Sequence, residues 1–320
     1  MMNINLKKYF QKPNKKLTLR PLIIAEISAN HGGSKKKFLN LIKSAAKNGA
    51  DLIKIQTYEA KDITIKNLKV GKINLWNLYS MAQTPLNWHK DAFKLSKMLK
   101  VPLFSTPFSI RSVDFLEELN VKLYKISSFE ITDLLLIDAI AKTKKPIILS
   151  TGMASIKEIN NAIKCIEKYH SKIVILHCVS GYPTKEEDIN LSRLIYMKKK
   201  YKKLNIGLSD HTNDINSSIA ACCLGATIIE KHYILNKKDK SYDKNFSINP
   251  LQLKKLSNFS KNLHKNLNNP KNNNKMLNKG EDQSKLFRRS IFLTKNVKKG
   301  EKISLDNIST FRPSIGIKSE

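Results

Sequence analysis

Two histidines frame the chemistry of this chain. His211 ends Gly207-Leu208-Ser209-Asp210-His211, and His232 ends Thr227-Ile228-Ile229-Glu230-Lys231-His232. Each closes a short apolar run and has a carboxylate nearby. One helix-length segment separates the runs, so they read as neighbouring parallel strands of one sheet. Their histidines would then meet at one sheet edge, as a divalent metal needs of two imidazole ligands. A lone strand-end histidine is usually just a polar residue. Two in register, beside Asp210 and Glu230, argue for a ligand pair.

The elements that must position them recur with a regular period. Apolar strand-length runs stand at 21–28, 50–57, 101–107, 123–128, 146–151, 173–180, 205–210 and 227–233. Helix-length segments lie at about 34–48, 88–99, 111–119, 133–142, 155–169, 190–202, 215–223 and 251–266. A long excursion, 58–87, carries a short helix around 75–81. Eight strand–helix units are the count that closes a parallel barrel. The strands are continuous apolar runs, as expected where both faces are buried. An open doubly wound sheet competes, but its Gly-rich dinucleotide fingerprint is absent after the first strand. The expected fold is an α/β (β/α)8 TIM barrel.

In such a barrel the active site lies at the C-terminal ends of the strands. Those ends present Glu26, Lys54 with Gln56, Thr106, Lys125 with Ser128 and Glu130, Ser150, Ser180 with Tyr182, Asp210 with His211, and His232. One strand-end lysine is usually a solvated charge. Two lysines inside apolar strands are different, because an unpaired buried ammonium is costly. With the hydroxyls they suit a phosphate or carboxylate group. A metal on the opposite side would polarise a carbonyl as a Lewis acid. Glu130 is the best-placed general base; a carboxylate that merely holds a lysine is the alternative.

Composition limits the remaining readings. The chain has 320 residues, enough for one large domain and a small one. No apolar run reaches membrane-spanning length, and residues 1–20 show no secretory pattern, so a cytoplasmic protein is expected. Cys165, Cys178, Cys222 and Cys223 lack CxxC spacing and read as buried thiols of a reduced compartment. The net charge of +32 is spread over lysines on helix faces and the Asn-rich tract 265–279. No nucleic-acid-binding motif accompanies it. The field would help draw in anionic substrates.

The stretches AEISANH (25–31), GADLIKIQTY (49–58), FSTPF (104–108), YKISSFEITD (124–133), LSTGMAS (149–155), YPT (182–184), GLSDHT (207–212) and TIIEKH (227–232) resemble the sialic acid synthase family, in order and spacing. The resemblance implies condensation of phosphoenolpyruvate with an amino-sugar aldehyde to a nine-carbon 2-keto acid, with release of phosphate. It also implies a divalent metal, manganese or magnesium. Carried over by position, Lys54, Thr106, Lys125, Ser128, Ser150 and Ser209 would hold phosphoenolpyruvate. His211 and His232 would ligate the metal, and Glu26, Gln56, Tyr182 and Asp243 would meet the sugar. Glu130 would act as the base, and Asp210 would stand among the substrate-binding groups. Ser180 stands where neuraminate synthases carry asparagine, which bears on the identity of the sugar. SANH, QTY, the WHKDAF helix and SFEITD look more like pseudaminic acid synthases; legionaminate or neuraminate synthesis is the alternative. An inactive sugar-binding remnant is a reading of another class.

Residues 267–284 are Asn/Lys-rich with Pro270 and read as a linker after a barrel domain of 21–266 and an N-terminal extension of 1–20. The stretch 285–320 resembles a shortened form of the antifreeze-like (SAF) β-rich domain of these synthases. In the family an arginine of that domain crosses a domain-swapped homodimer, and Arg312 matches it. About 36 residues bury little core alone.

Overall fold

The computed structural model describes residues 5–13, 19–268 and 279–319. Two compact units divide the chain, Met1–Leu267 and Asn268–Glu320. The first is the barrel. Its strands are β1 (Leu22–Glu26), β2 (Leu52–Thr57), β3 (Leu103–Pro107), β4 (Tyr124–Ile126), β5 (Ile147–Ser150), β6 (Ile173–Cys178), β7 (Asn205–Asp210) and β8 (Ile228–His232). Each is hydrogen-bonded in parallel to its sequence neighbours, and β1 closes on β8. The eight expected strands all form. Apart from half-buried Gln56, every residue in them is buried, which is why they read as unbroken apolar runs.

The helices follow from local signals. In α5 (Ile156–Glu167), Ser155 and Glu158 form a reciprocal capping box, and Ile159, Ala162, Ile163 and Ile166 are buried. The others of the outer ring are α1 (Lys35–Lys47), α2 (Leu86–Leu99), α3 (Ile110–Glu118), α4 (Leu134–Lys142), α6 (Leu191–Lys200), α7 (Asn216–Cys223) and α8 (Pro250–Leu267). Gly207 in β7 has no substitute: a Cβ there would come within 2.3 Å of Ile228 O and 2.6 Å of Leu176 Cδ2. Among the described residues no helix is long and apolar enough to cross a membrane.

Two features depart from the expectations. The N-terminal segment is not a bare polar extension, because Leu6–Phe10 forms a 3-10 helix with Tyr9 and Phe10 buried. Asn205 Nδ2, on β7, donates to Tyr9 O at 2.8 Å and Gln11 O at 3.1 Å, which ties the segment to the barrel. Cys223 is exposed, whereas the other three cysteines are buried as expected.

The second unit carries a three-stranded antiparallel sheet with β9 (Ser290–Leu293) between β10 (Ile308–Phe311) and β11 (Ile317–Lys318). Its buried side chains among the described residues are Ser290 and Asn307, both polar. Among the described residues the unit therefore has almost no apolar core of its own.

Candidate active site

Register sets the first row of the mouth. Glu26 pairs with His232 on one side and with Lys54 on the other. Lys54 Nζ lies 2.9 Å from Glu26 Oε2 and 2.8 Å from Glu230 Oε1. Lys125 Nζ stands 3.7 Å from the same Glu230 oxygen and donates to Ser150 Oγ at 2.7 Å. Ser209 Oγ donates to Glu230 Oε1 at 3.2 Å. Two lysines and two carboxylates thus interlock at the top of the barrel, all buried. Burial pulls the Lys54 ammonium down to about 8, against the attraction of Glu230. Burial also opposes the charge on Glu230, but Lys125 and Lys54 together hold its carboxyl well below the usual carboxylate range.

The cluster is not saturated. Glu230 Oε2, Thr106 Oγ1 and Ser180 Oγ are buried without a hydrogen-bond partner, and Glu26 Oε2 meets Lys54 as an ion pair without hydrogen-bond alignment. Gly152 N donates to Ser128 Oγ at 3.0 Å, and a Cβ on Gly152 would meet Ser180 Oγ at 2.2 Å and Ser128 Oγ at 2.9 Å. The missing side chain keeps this corner open. Positive charge, free hydroxyls and space here suit an oxyanion group.

Glu130 follows β4 in the loop Ser127–Glu130 and accepts a hydrogen bond from Ser127 Oγ. Burial raises its carboxyl to about 7, and the nearby Lys125 only partly offsets this. A carboxylate poised near neutrality can take a proton and return it. Gln56, the register partner of Thr106, is half-buried on the same row.

His211 and His232 lie with ring centroids 5.3 Å apart, beside each other as expected. His211 Nδ1 lies 3.0 Å from Val179 O, so it donates there and leaves Nε2 as the free donor atom. His232 Nδ1 is 3.4 Å from Asp243 Oδ2, too long for a good hydrogen bond but the same outward side of the ring. Two adjacent imidazoles, that of His211 fixed through Nδ1 and that of His232 with Nδ1 near Asp243, fit a divalent cation. Among the described residues no group of three or more His, Cys, Asp or Glu forms a protein-only site, so such a cation would need water or substrate oxygens as well. Phe246 meets both rings edge-on, at 4.8 Å and 6.0 Å. Tyr182 lies 4.4 Å from the His211 ring and stacks on exposed Phe129 at 6.3 Å.

Most of the residues singled out in the sequence converge on this mouth: Glu26, Lys54, Lys125, Ser128, Ser150, Ser180, Tyr182, Ser209, His211, His232 and Asp243 are linked by the contacts above. Asp210 is different. It is fully buried, paired with Lys231 and hydrogen-bonded to Thr212 and Ser218, so it faces the helix layer and not the mouth. Strand alternation is the reason, since Ser209 takes the inward position. Arg312 belongs to the second unit, where it lines a hollow with Lys285, Arg288, Arg289 and Lys318. Glu230 was not among the expected site residues, yet it is the hub of the lysine cluster. Its inward parity with His232, two residues on, was the available signal. His31 is a core histidine: burial lowers it to about 4, and Nδ1 accepts from Gly33 N at 3.0 Å.

A parallel barrel whose mouth joins an anion-binding lysine cluster, a near-neutral carboxylate and two oriented imidazoles has the make of an enzyme for an anionic substrate. The NeuB family matches residues 41–272, more than half of the chain, and the chain belongs to that family, as the resemblance to sialic acid synthases implied. It is similar to a pseudaminic acid synthase of Helicobacter pylori, with 38% identity over 307 residues, 93% of this chain and 89% of the relative. An N,N'-diacetyllegionaminic acid synthase of Campylobacter jejuni is 36% identical over 311 residues, 93% of this chain and 92% of the relative. Among solved structures, the N-acetylneuraminic acid synthetase of Leptospira borgpetersenii, crystallised with citrate, matches with a TM-score of 0.74 and 33% identity, covering 82% of this chain and 90% of that one.

Proposed function

We propose that the protein condenses phosphoenolpyruvate with an N-acetylated amino-sugar aldehyde, giving a nine-carbon nonulosonic acid and phosphate, and that the product is pseudaminic acid. The observation that carries the reading is the interlocked, incompletely satisfied lysine cluster at the barrel mouth. Lys54 and Lys125 bind the phosphate and carboxylate of phosphoenolpyruvate, with Ser128, Ser150, Ser209 and Thr106 as hydroxyl partners. Gln56, Tyr182, Ser180, Glu26 and Asp243 orient the sugar.

The enol carbon forms a bond to the aldehyde carbon, whose oxygen takes up a proton. The positive charge left at the phosphate-bearing carbon is quenched by water, and Glu130 removes the proton of that water. Collapse of the adduct breaks the carbon–oxygen bond, and phosphate leaves. His211 and His232 would hold manganese or magnesium, which supplies Lewis-acid polarisation of the aldehyde oxygen. The second unit acts as an antifreeze-like (SAF) module in a domain-swapped homodimer, where Arg312 offers its planar fork to sugar oxygens in the partner's mouth.

The test offers the purified protein phosphoenolpyruvate, manganese and each candidate amino sugar, following phosphate release and product mass. Phosphate release with a product of pseudaminic acid mass is expected. Release with the legionaminate or neuraminate precursor instead moves the substrate assignment, and no release with any sugar overturns the reading. For the dimer, mixing Arg312→Ala with Glu130→Gln subunits should restore activity through hybrid sites. Mixed dimers without activity would contradict the trans arrangement.

A further inference from the structure

β7 and β8 carry a second buried ion pair, which faces away from the mouth. Lys231 Nζ lies 3.0 Å from Asp210 Oδ1, and both side chains are fully enclosed. The two residues are direct register partners. Alternation sends Ser209 and Glu230 into the barrel, and Asp210 and Lys231 towards the helix layer.

This pair is saturated. Asp210 Oδ1 accepts from Thr212 N and Thr212 Oγ1, each at 2.8 Å, and Oδ2 accepts from Ser218 Oγ of α7 at 2.5 Å. Lys231 Nζ donates to Thr212 O at 2.5 Å and to Thr212 Oγ1 at 3.1 Å. No ligand is needed to explain it. What it encloses is the turn 210–212, with His211 at its centre. The residue after Lys231 is His232. One ion pair therefore fixes the chain neighbours of both imidazoles.

Energy alone does not account for it. Replacing a buried ion pair by packed apolar groups is often neutral or stabilising. Apolar packing specifies volume, however, whereas charge-assisted hydrogen bonds also specify distance and direction.

We propose that Asp210 and Lys231 are positioning residues that set the separation and direction of the His211 and His232 imidazoles, and thereby the affinity of the mouth for a divalent metal. The proposal rests on reading those histidines as metal ligands. The imidazoles belong to different strands; the backbone ladder sets the strand spacing, and the Asp210–Lys231 pair adds a directional side-chain tie one residue before each histidine.

The test is calorimetric titration of the purified chain with manganese alone, beside thermal unfolding without metal. A single substitution would leave one buried charge unpaired, so both partners change together in Asp210→Leu/Lys231→Met. The melting temperature should stay near that of the unaltered chain, while the manganese dissociation constant rises about tenfold or more, as when an outer partner of a metal ligand is lost. Thr212→Val removes the hydroxyl that both charges touch and alters no charge; it should shift affinity the same way by a smaller factor. It decides the matter if the double variant does not fold. Folded variants that bind manganese normally would overturn the proposal, and the pair would then only join barrel to helices. His211→Ala separates the two layers of the argument. If it too binds manganese normally, the ligand reading fails; if it loses manganese while the double variant does not, only the positioning proposal fails.

Discussion

Two buried lysine–carboxylate clusters meet at β8: Lys231 faces outward to Asp210 of β7, and Glu230 faces inward to lysines of β2 and β4. In the outward one Asp210 accepts from Thr212 and Ser218, and Lys231 donates to Thr212. The inward one joins Glu26, Lys54, Glu230 and Lys125 and leaves Glu230 Oε2 and the neighbouring Thr106 Oγ1 and Ser180 Oγ without partners. Burial is the same, but satisfaction differs. A native protein tolerates unpaired buried polar groups where something else is meant to pair with them. The inward cluster keeps hydrogen-bonding capacity open to a ligand, whereas the outward one is closed on itself around the turn that carries His211.

The sharpest way to break this comparison is to remove the group assigned to chemistry. Glu130→Gln should cut kcat by about 10²- to 10⁴-fold, the usual worth of a general base, with little change in phosphoenolpyruvate affinity. In the unaltered enzyme Glu130 must be ionised to act, so activity should fall as pH drops through about 7, where burial holds its carboxyl. The variant's residual rate should lack that acidic limb. A limb that persists in it would assign the titration to another group.

Lys125→Met comes next. Losing a charge-assisted hydrogen bond to a buried anion costs about 1.5–3 kcal/mol, so phosphoenolpyruvate should bind roughly ten- to a hundredfold more weakly by calorimetry. Lys54→Met should behave alike. In the unaltered chain affinity should also decline above about pH 8, because burial lowers Lys54 to that range and the neutral amine no longer attracts an anion. Affinity that is flat to pH 10 would give Lys54 a structural role.

The outward cluster should respond in the opposite sense. Ser218→Ala leaves Asp210 Oδ2 without its donor and should lower stability by about 1–3 kcal/mol in denaturant unfolding. Phosphoenolpyruvate affinity should not move. If it does, the two faces are coupled more tightly than their bonding suggests.

The architecture was largely legible. Runs such as PLIIAEIS and IVILHCVS are apolar throughout because both faces of a barrel strand are covered, and their spacing left room for one helix each. Lys54 and Lys125 stood out because charges within such runs demand partners. What a single sequence hides is which partner. Asp210 and Glu230 both stand beside histidines, and only register shows that Glu230 pairs with Ser209 inside while Asp210 pairs with Lys231 outside. The burial of Tyr9 and Phe10 was hidden for a related reason: two aromatics in a basic segment show no period, and the tie from Asn205 to Tyr9 O that seats the segment spans 196 residues.

Thr106 offers the most direct test of the central claim, because its hydroxyl is buried and makes no hydrogen bond in the free protein. Thr106→Val keeps the shape and removes only that hydroxyl. The measurement is the dissociation constant of phosphoenolpyruvate, read beside the melting temperature of the free protein. Binding about tenfold weaker, with a melting temperature unchanged or raised, is the expected result. A lowered melting temperature with unchanged binding would show that the hydroxyl serves the fold, and would contradict the claim that the unsatisfied inward groups are there for the ligand.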